Sequence, residues 1–553
     1  MREAIERLLG LLEDGCGRVI VELPTGYGKT TAGAVVYRLL SRGVVYPEDR
    51  VIHVLPLRAV VEDTAKRLAE KLGAGRVAYQ AGTIIQGVNK EPLFDADYTV
   101  TTLDSFVHNM FKYPVTELYT VERHYYIPLT RVFTSGVVFD EAHLFINGFG
   151  KARPFNGGDV KMGTAFLTSA KLLARMNNPL IIMSATLTST MNGELRRRLG
   201  DGVILRLGAR GEEKSTKDEV VVWDEDFTGS ASVNIKYNVS TVRMGDVVGR
   251  TVEYLGSGRR VLVIIDNRGE AVRVYNELRN RGFRAGLVHS LLTRRERLGV
   301  ISKLKDYDAL VGTSAIEAGV DVSFDVLVTT PTSALSLVQR VGRVCRDVEK
   351  PCVGDVVLVS DYGGNREGLV DYVVKKRVCW RLPFDGDDCV GYKKLLEVFD
   401  EPPRPDARYE GELENLFNLV YIPQDMLGAI LGMMRYSLVR EPLVEAYTKG
   451  TGEFRSAGYG DVILDSFSIE YSGLARLAGC IEGLGVFNED GGVVINDNEL
   501  VRGFAEGDYD VFVRFVRKYI IKAKKHDTRQ YNTEKHAVGP FVILKPNCLG
   551  GEP

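Results

Sequence analysis

Arg18-Val-Ile-Val-Glu-Leu-Pro-Thr-Gly-Tyr-Gly-Lys-Thr-Thr31 contains three structural signals in sequence. RVIVEL (18–23) is a short apolar run. Residues 24–28 form a glycine-rich turn, and TTAGAVVYRLL (30–40) has the pattern of a packed helix. Gly26 and Gly28 let the backbone curl with its amides pointing inward at the positive end of that helix, a geometry that wraps phosphates. Lys29 has the reach for β- and γ-phosphates, Thr30 offers a hydroxyl to Mg²⁺, and Thr25 and Thr31 complete the loop. The common P-loop spacing has a glycine five residues before Gly28. Leu23 stands there instead, so the variant is P-T-G-x-G-K-T.

The same strand–helix rhythm extends outward. VIHVL (51–55), YTVTT (98–102), GVVFDE (136–141) and LIIMSAT (180–186) are further apolar runs, separated by helical stretches such as VVEDTAKRLAEKL. Runs that are apolar on both faces, alternating with helices, indicate a parallel sheet covered on both sides. A second series repeats the order: RVLVIID (260–266), AGLVHS (285–290), DALVGTS (308–314), DVLVTT (325–330) and DVVLVSD (355–361). The expected fold class is α/β, with two tandem RecA-like parallel-sheet domains and a smaller C-terminal domain. The polar stretch GEEKSTKDE (211–219) and the proline cluster EPPRP (401–405) set the expected boundaries at 1–212, 213–400 and 401–553.

Two further clusters carry chemistry. Asp140-Glu141-Ala142-His143 ends an apolar strand, which places its carboxylates at the ligand-binding edge of a parallel sheet. Asp140 is expected to hold Mg²⁺ through water, and Glu141 to orient the attacking water. Gln339-Arg340-Val341-Gly342-Arg343-Val344-Cys345-Arg346 supplies cations from the second series. Arg343 and Arg346 are three apart and would share one face of a helix. An arginine finger contributes roughly 10³ to 10⁵ in rate.

P-T-G-Y-G-K-T, D-E-A-H, S-A-T (184–186) and Q-R-V-G-R-V-C-R occur in the order found in superfamily 2 helicases, which the chain resembles over about residues 15–350. More narrowly, GTSAIEAGVDVSFDVLVTTPTSALSLVQRVGRVCR (312–346), LVHSLLTRRER (287–297) and T-T-L-D-S-F (101–106) resemble the CRISPR-associated type I interference helicases. That resemblance implies an ATP- and Mg²⁺-dependent motor on single-stranded DNA, moving 3′ to 5′ and recruited by a guide-RNA surveillance complex. It implies strand contacts at Arg58, Thr102, Asp104, His289, Ser290 and Thr313. It also implies coupling roles for His143, Ser184 and Thr186, and completion of the nucleotide site by Asp321 and Gln339. A fused HD nuclease is not expected ahead of Gly26. His526-Asp527, with His536 nearby, does not offer a ligand set, so the nuclease is expected as a separate subunit. No glutamine precedes Gln80, which leaves adenine selectivity open. Two other readings are an RNA helicase or restriction-type translocase of the same superfamily, and a scaffold with an inactive core. The intact Lys29, Asp140, Glu141, Arg343 and Arg346 argue against the scaffold.

The net charge of −2 over 553 residues argues against a protein that merely coats nucleic acid. Neither a signal peptide nor a run of 18 apolar residues is present, so no membrane partner and a cytoplasmic location are expected. The seven cysteines contain no C-x-x-C pair and are expected to be scattered core thiols. A Cys345–Cys352 disulfide would require a hyperthermophilic host. VFVRFVRKYIIKAKKHDTRQY (511–531) carries cations at helical spacing opposite Phe512, Phe515, Tyr519 and Ile520. It fits a docked helix with a solvated basic face, or a strand-binding track.

Overall fold

The structure is a computed structural model. It describes residues 2–41, 50–82, 85, 87–113, 124–146, 158–317, 322–419, 437–488, 491–515, 518–519 and 538–548. The chain forms two compact units. Among the described residues, one holds those up to 113, 124–287 and 304–419, and the other holds 288–303 and those from 437 onward.

Among the described residues, the first unit contains two large sheets and one two-stranded pair. Strands β1 (Arg18–Glu22), β2 (Arg50–Leu55), β3 (Val77–Gln80), β4 (Asn89–Lys90), β5 (Tyr98–Thr102), β6 (Ser135–Phe139), β7 (Leu180–Ser184), β8 (Val203–Leu207), β9 (Lys214–Ser215) and β10 (Glu219–Val222) form the first. Their order is β4-β3-β5-β2-β6-β7-β1-β8-β10-β9, parallel except for the β9–β10 pair. Val19, Ile20, Val21, Val137, Val138 and Phe139 are fully buried, as a sheet with helices on both faces requires. Each such side chain stabilises the fold by about 1.5–3 kcal/mol. The second sheet is β11 (Ile235–Val242), β12 (Val261–Ile264), β13 (Ala285–Val288), β14 (Ala309–Gly312), β15 (Val326–Thr329) and β16 (Cys352–Val359), in the order β11-β16-β15-β12-β14-β13. Two parallel-sheet lobes in tandem are thus the observed architecture.

The elements do not part where composition shifts. The polar segment 211–219 is not a free linker: it holds β9 and leads into β10, whose Val220–Val222 pair with β8. The first sheet therefore runs past residue 212. Beyond the proline cluster, the helix Ala407–Asn418 remains in the first unit. Asp406 caps it, and Glu410 on it accepts from Arg198 (2.7 and 2.8 Å) and Lys171 (2.8 Å). Lys112 donates to the carbonyls of Leu416 and Phe417 at the far end, as a cation near a helix C-terminus should. Prolines at 402, 403 and 405 end one element without ending the unit.

In the second unit, β19 (Leu443–Tyr447), β20 (Ser466–Glu470), β21 (Ile481–Asn488), β22 (Gly491–Ile495) and β23 (Val538–Leu544) form a mixed sheet, ordered β20-β19-β23-β21-β22; β17 (Val378–Cys379) and β18 (Val390–Gly391) pair separately in the first unit. Tyr471, Phe504, Phe512 and Phe515 fill the core of the second unit. The helix Arg294–Ser302 belongs here too: Arg295 bonds Asp465 (2.7 Å) and Asp461 (2.9 Å), and Arg294 bonds Glu445 (3.2 Å). In the 511–531 segment, Arg514 pairs with Glu499 at 2.8 Å and Phe512 is buried, the docked-helix arrangement. Ile520, His526, Asp527, Arg529 and His536 lie outside the described residues.

The expectation of scattered thiols is overturned. Cys345–Cys352, Cys379–Cys389 and Cys480–Cys548 are disulfides, with Cα separations of 5.7, 5.3 and 5.6 Å, and Cys16 is free. Partners up to 68 residues apart meet only through the tertiary fold, so spacing alone gives no sign of them. Among the described residues, no helix is long and apolar enough to cross a membrane.

Candidate functional site

The P-loop follows β1 as expected. Gly26 (φ 85°) and Gly28 (φ 104°) both take the left-handed backbone that favours glycine, and Lys29 opens the helix Lys29–Leu40. Lys29 is buried and its ammonium donates to the Leu23 carbonyl at 3.2 Å. Thr30 and Thr31 occupy the first turn of this helix; their side chains lie outside what is described. Tyr27, between the two glycines, accepts from the Ala4 amide at 3.0 Å and bonds Asp224, which fixes the outer wall of the loop.

Asp140 and Glu141 stand at the end of β6. Asp140 is buried and accepts from the Glu141 amide at 2.8 Å. Burial alone would raise its pKa, but the hydrogen bond and charge of His53, with Lys29, hold it below the ordinary carboxylate range. His53 Nε2 lies 3.5 Å from the Asp140 carboxylate, and His53 Nδ1 lies 2.8 Å from the Tyr98 hydroxyl. Glu141 behaves oppositely. Burial and Asp140 push it above its usual range, against the pull of Lys29, Arg343 and Arg346. Both arginines of the second lobe therefore act electrostatically on a carboxylate of the first.

A chain of polar contacts also crosses between the lobes, hydrogen-bonded from His143 onward. His143 lies 3.4 Å from Glu141 and 2.9 Å from the Ser184 hydroxyl. Burial, then the Lys29 charge, lowers its pKa to about 3, so the ring is neutral near pH 7. Ser184 Oγ accepts from the Thr186 amide at 3.1 Å, and Thr186 Oγ1 accepts from Gln339 Nε2 at 3.2 Å.

The arginines depart from expectation in one respect. The helix Ala334–Val341 ends before Arg343, so Arg343 and Arg346 lie in the turn that follows it rather than on one helix face. Cys345 has φ 50° within that turn and is tied to Cys352. Arg343 donates to the Glu317 carbonyl, and the Arg346 amide donates to Ser323 Oγ at 3.0 Å. Arg340, from the same motif, is only 1% exposed and pairs with Asp266 (2.8 Å) and Glu317 (2.6 Å), an internal brace of the second lobe. Asp321 lies outside the described residues.

The expected strand-contact residues fall at or just beyond the C-terminal ends of strands. Thr102 ends β5 and caps the helix Leu103–Met110, with Asp104 in its first turn. Thr313 follows β14 and caps the turn Ser314–Ile316. Arg58 opens the helix Arg58–Leu72 and lies over Gly82, where an added Cβ would come within 2.7 Å of its guanidinium. His289 and Ser290 belong to the second unit. His289 is 2% exposed and its Nδ1 accepts from the Leu291 amide at 3.2 Å.

Sequence reasoning passed over His53, Arg381, Tyr392 and Lys393. Tyr392 donates to the Ala185 carbonyl at 3.1 Å and Lys393 pairs with Glu22 at 2.6 Å, so the segment after β17 reaches back to the first lobe. The available signals were polar residues inside apolar runs: His53 in VIHVL and Arg381 in VCWRLPF.

Comparison with known proteins finds helicase families over both lobes. Residues 2–193 match the DEAD/DEAH box helicase family. Residues 257–349 match the family described as CRISPR-associated nuclease/helicase Cas3, C-terminal. The CRISPR-associated nuclease/helicase Cas3 of Methanothermobacter thermautotrophicus is 22% identical over 527 residues, covering 91% of this chain and 55% of that protein. The ATP-dependent helicase Lhr-Core of Sulfolobus acidocaldarius is 26% identical over 386 residues, covering 64% of this chain and 40% of its own length. The chain thus spans about half the length of these curated relatives. Among solved structures, T. fusca Cas3 with ADP superposes with a TM-score of 0.57 at 16% identity, over 86% of this chain and 64% of that one. With its P-loop and DEAH lobe, its Cas3-like second lobe and this shared fold, the chain is similar to superfamily 2 helicases of the Cas3 type.

Proposed function

We propose that the chain is a single-stranded-DNA-dependent ATPase that translocates on the displaced strand during type I CRISPR interference and feeds it to a separate HD nuclease subunit. The observation that carries the reading is the chain of contacts from Glu141 through His143, Ser184 and Thr186 to Gln339, together with the electrostatic action of Arg343 and Arg346 on Glu141. In this reading Lys29 and the loop Thr25–Thr31 hold the triphosphate. Asp140 fits a divalent-cation role because its carboxylate is kept anionic inside the cleft, and Thr30 would complete that site. The cation, when bound, neutralises charge on the phosphates. Glu141, with its raised proton affinity, is suited to orient and polarise water. The arginine turn supplies the preference for the closed state without which nucleotide could not drive motion.

Thr102 and Thr313, each at the C-terminal end of a strand, would grip phosphates from each lobe, setting register without reading sequence. Arg58 and Asp104 belong to the same proposed track, and His289 and Ser290 are proposed as strand contacts within the second unit. A guide-RNA surveillance complex is the proposed recruiter. This extends the Cas3 likeness and the fold shared with a chain in a structure described as a CRISPR RNA-guided surveillance complex, pre-nicking.

The test is ATP turnover with single-stranded DNA, single-stranded RNA or neither. Single-stranded DNA is expected to stimulate, and Lys29→Ala and Glu141→Gln are expected to lower kcat by at least about 10²-fold with strand binding kept. Equal stimulation by RNA would replace the DNA assignment. Wild-type turnover in either variant would remove the site assignment.

A further inference from the structure

Arg381 follows β17 and is 2% exposed, yet it belongs to none of the recognised motifs. Its guanidinium faces three ways. Nη2 donates to the carbonyls of Val344 (2.7 Å) and Cys345 (2.9 Å), the two residues nearest the middle of the Arg343–Arg346 turn. Nε donates to the Tyr237 hydroxyl at 3.1 Å, and that hydroxyl itself donates to the Val344 carbonyl at 3.0 Å. Nη1 reaches Thr25 Oγ1 in the P-loop at 3.5 Å. The two loops it joins are already close. A Cβ added at Gly342 would stand 2.8 Å from Thr25 Oγ1, and one added at Gly26 would stand 3.9 Å from the Arg346 carbonyl. Disulfides secure both ends: Cys345–Cys352 holds the arginine turn, and Cys379–Cys389 closes the loop that carries Arg381.

We propose that Arg381 is a positioning residue for nucleotide turnover, holding the Arg343–Arg346 turn against the P-loop through Val344, Cys345 and Thr25. This deepens the nucleotide-site reading above and rests on it. The planar fork of arginine suits the task, since its five N–H donors can serve two carbonyls and two hydroxyls at fixed angles, more acceptors than the three donors of a lysine ammonium can meet. Arg381 gains its effect by fixing where Arg343 and Arg346 stand. Its loss therefore slows the step in which those guanidiniums meet developing charge, more than it weakens nucleotide binding.

The experiment is steady-state ATP hydrolysis by the full chain with saturating single-stranded DNA, normalised to the number of sites that bind a fluorescent ADP analogue. Arg381→Gln is expected to lower kcat per site roughly 30-fold with KM for ATP within about twofold. Arg381→Lys is expected to be nearly as slow; full rescue by lysine would mean that only the charge matters and would overturn the proposal. Combining Arg381→Gln with Arg343→Ala is expected to add less than about threefold to the Arg343→Ala loss, because both act on one step. A multiplicative loss overturns it. Because Arg381 is buried, Tyr237→Phe provides a milder variant that removes one hydroxyl from the same cluster. It is expected to lower kcat by about three- to tenfold with KM unchanged. If both Arg381→Gln and Tyr237→Phe turn over at the wild-type rate per site while Lys29→Ala is inactive, this proposal alone fails. If Lys29→Ala is fully active, the nucleotide-site reading fails first.

Discussion

Asp140 and Glu141 are adjacent carboxylates with opposed proton affinities, and the difference lies in what each faces. Asp140 meets His53 and stays anionic; Glu141 is raised by burial and by Asp140 against the pull of Lys29, Arg343 and Arg346. Their order at the end of an apolar strand was visible in D-E-A-H, but His53 was not, because a histidine inside VIHVL looks like any other strand residue until β2 and β6 pair. Buried histidines elsewhere make the fold sensitive to acid. His108, on the helix Leu103–Met110, is 5% exposed, and burial lowers its pKa to about 4. In the unfolded chain it titrates near 6.5. Between those values the unfolded state binds a proton that the folded state refuses, so stability falls as pH falls from about 6.5 toward 4. The contribution between pH 7 and pH 5 is roughly 2 kcal/mol. His143, lowered to about 3, acts with the same sign. Urea denaturation at the two pH values should show that His108→Gln loses less stability on acidification than the wild type. An equal loss in both would mean that His108 is already free to protonate in the fold.

At the scale of elements, the disulfides are the feature that local pattern could not supply. Cys480–Cys548 ties the start of β21 to the chain after β23, across a separation of 68 residues. Closing a loop of that length in the unfolded state stabilises the fold by about 4 kcal/mol on the chain-entropy account. Replacing both cysteines with serine should lower the unfolding free energy of the second unit by most of that amount, read by near-ultraviolet circular dichroism in denaturant. A change below about 1 kcal/mol would mean that the unfolded chain is already compact there. What was legible in sequence follows the same logic of range. Strands buried on both faces, the glycine turn and the D-E-A-H end are set by neighbours in the chain, and RVIVEL, GVVFD and LIIMS appear as β1, β6 and β7. The edge was not legible, because β9 lies in a stretch polar enough to resemble a linker until β10, itself paired to β8, offers a partner. The arginine turn was misread as helix because three-residue spacing fits a helix equally well, whereas the chain leaves the helical path after Val341. Arg381 is distant in sequence from everything it touches.

For the whole molecule, the two compact units interleave along the chain. The segment 288–303, flanked by β13 and β14 of the second sheet, packs with residues beyond 420. Leu291 lies against the aromatic core around Tyr471 and Phe504, while Arg294 and Arg295 bond to Glu445, Asp461 and Asp465. His289 and Ser290, assigned to the strand track, thus depend on the second unit for their support. A chain ending at residue 419 would leave this segment without its carboxylate partners and with its apolar contacts exposed to water. Local stability follows from such contacts, and a segment deprived of them opens easily. Trypsin should then cleave at Arg294, Arg295, Arg297 or Lys303 in the truncated chain well before it does so in the full chain, and mass spectrometry of the early fragments reads the site directly. The charge reversal Asp461→Lys with Asp465→Lys in the full chain should raise cleavage at the same positions, though less, because the core around Leu291 is kept. Equal protection of residues 294–303 in all three proteins would mean that the second sheet alone holds this helix, and that the second unit plays no part in supporting His289 and Ser290.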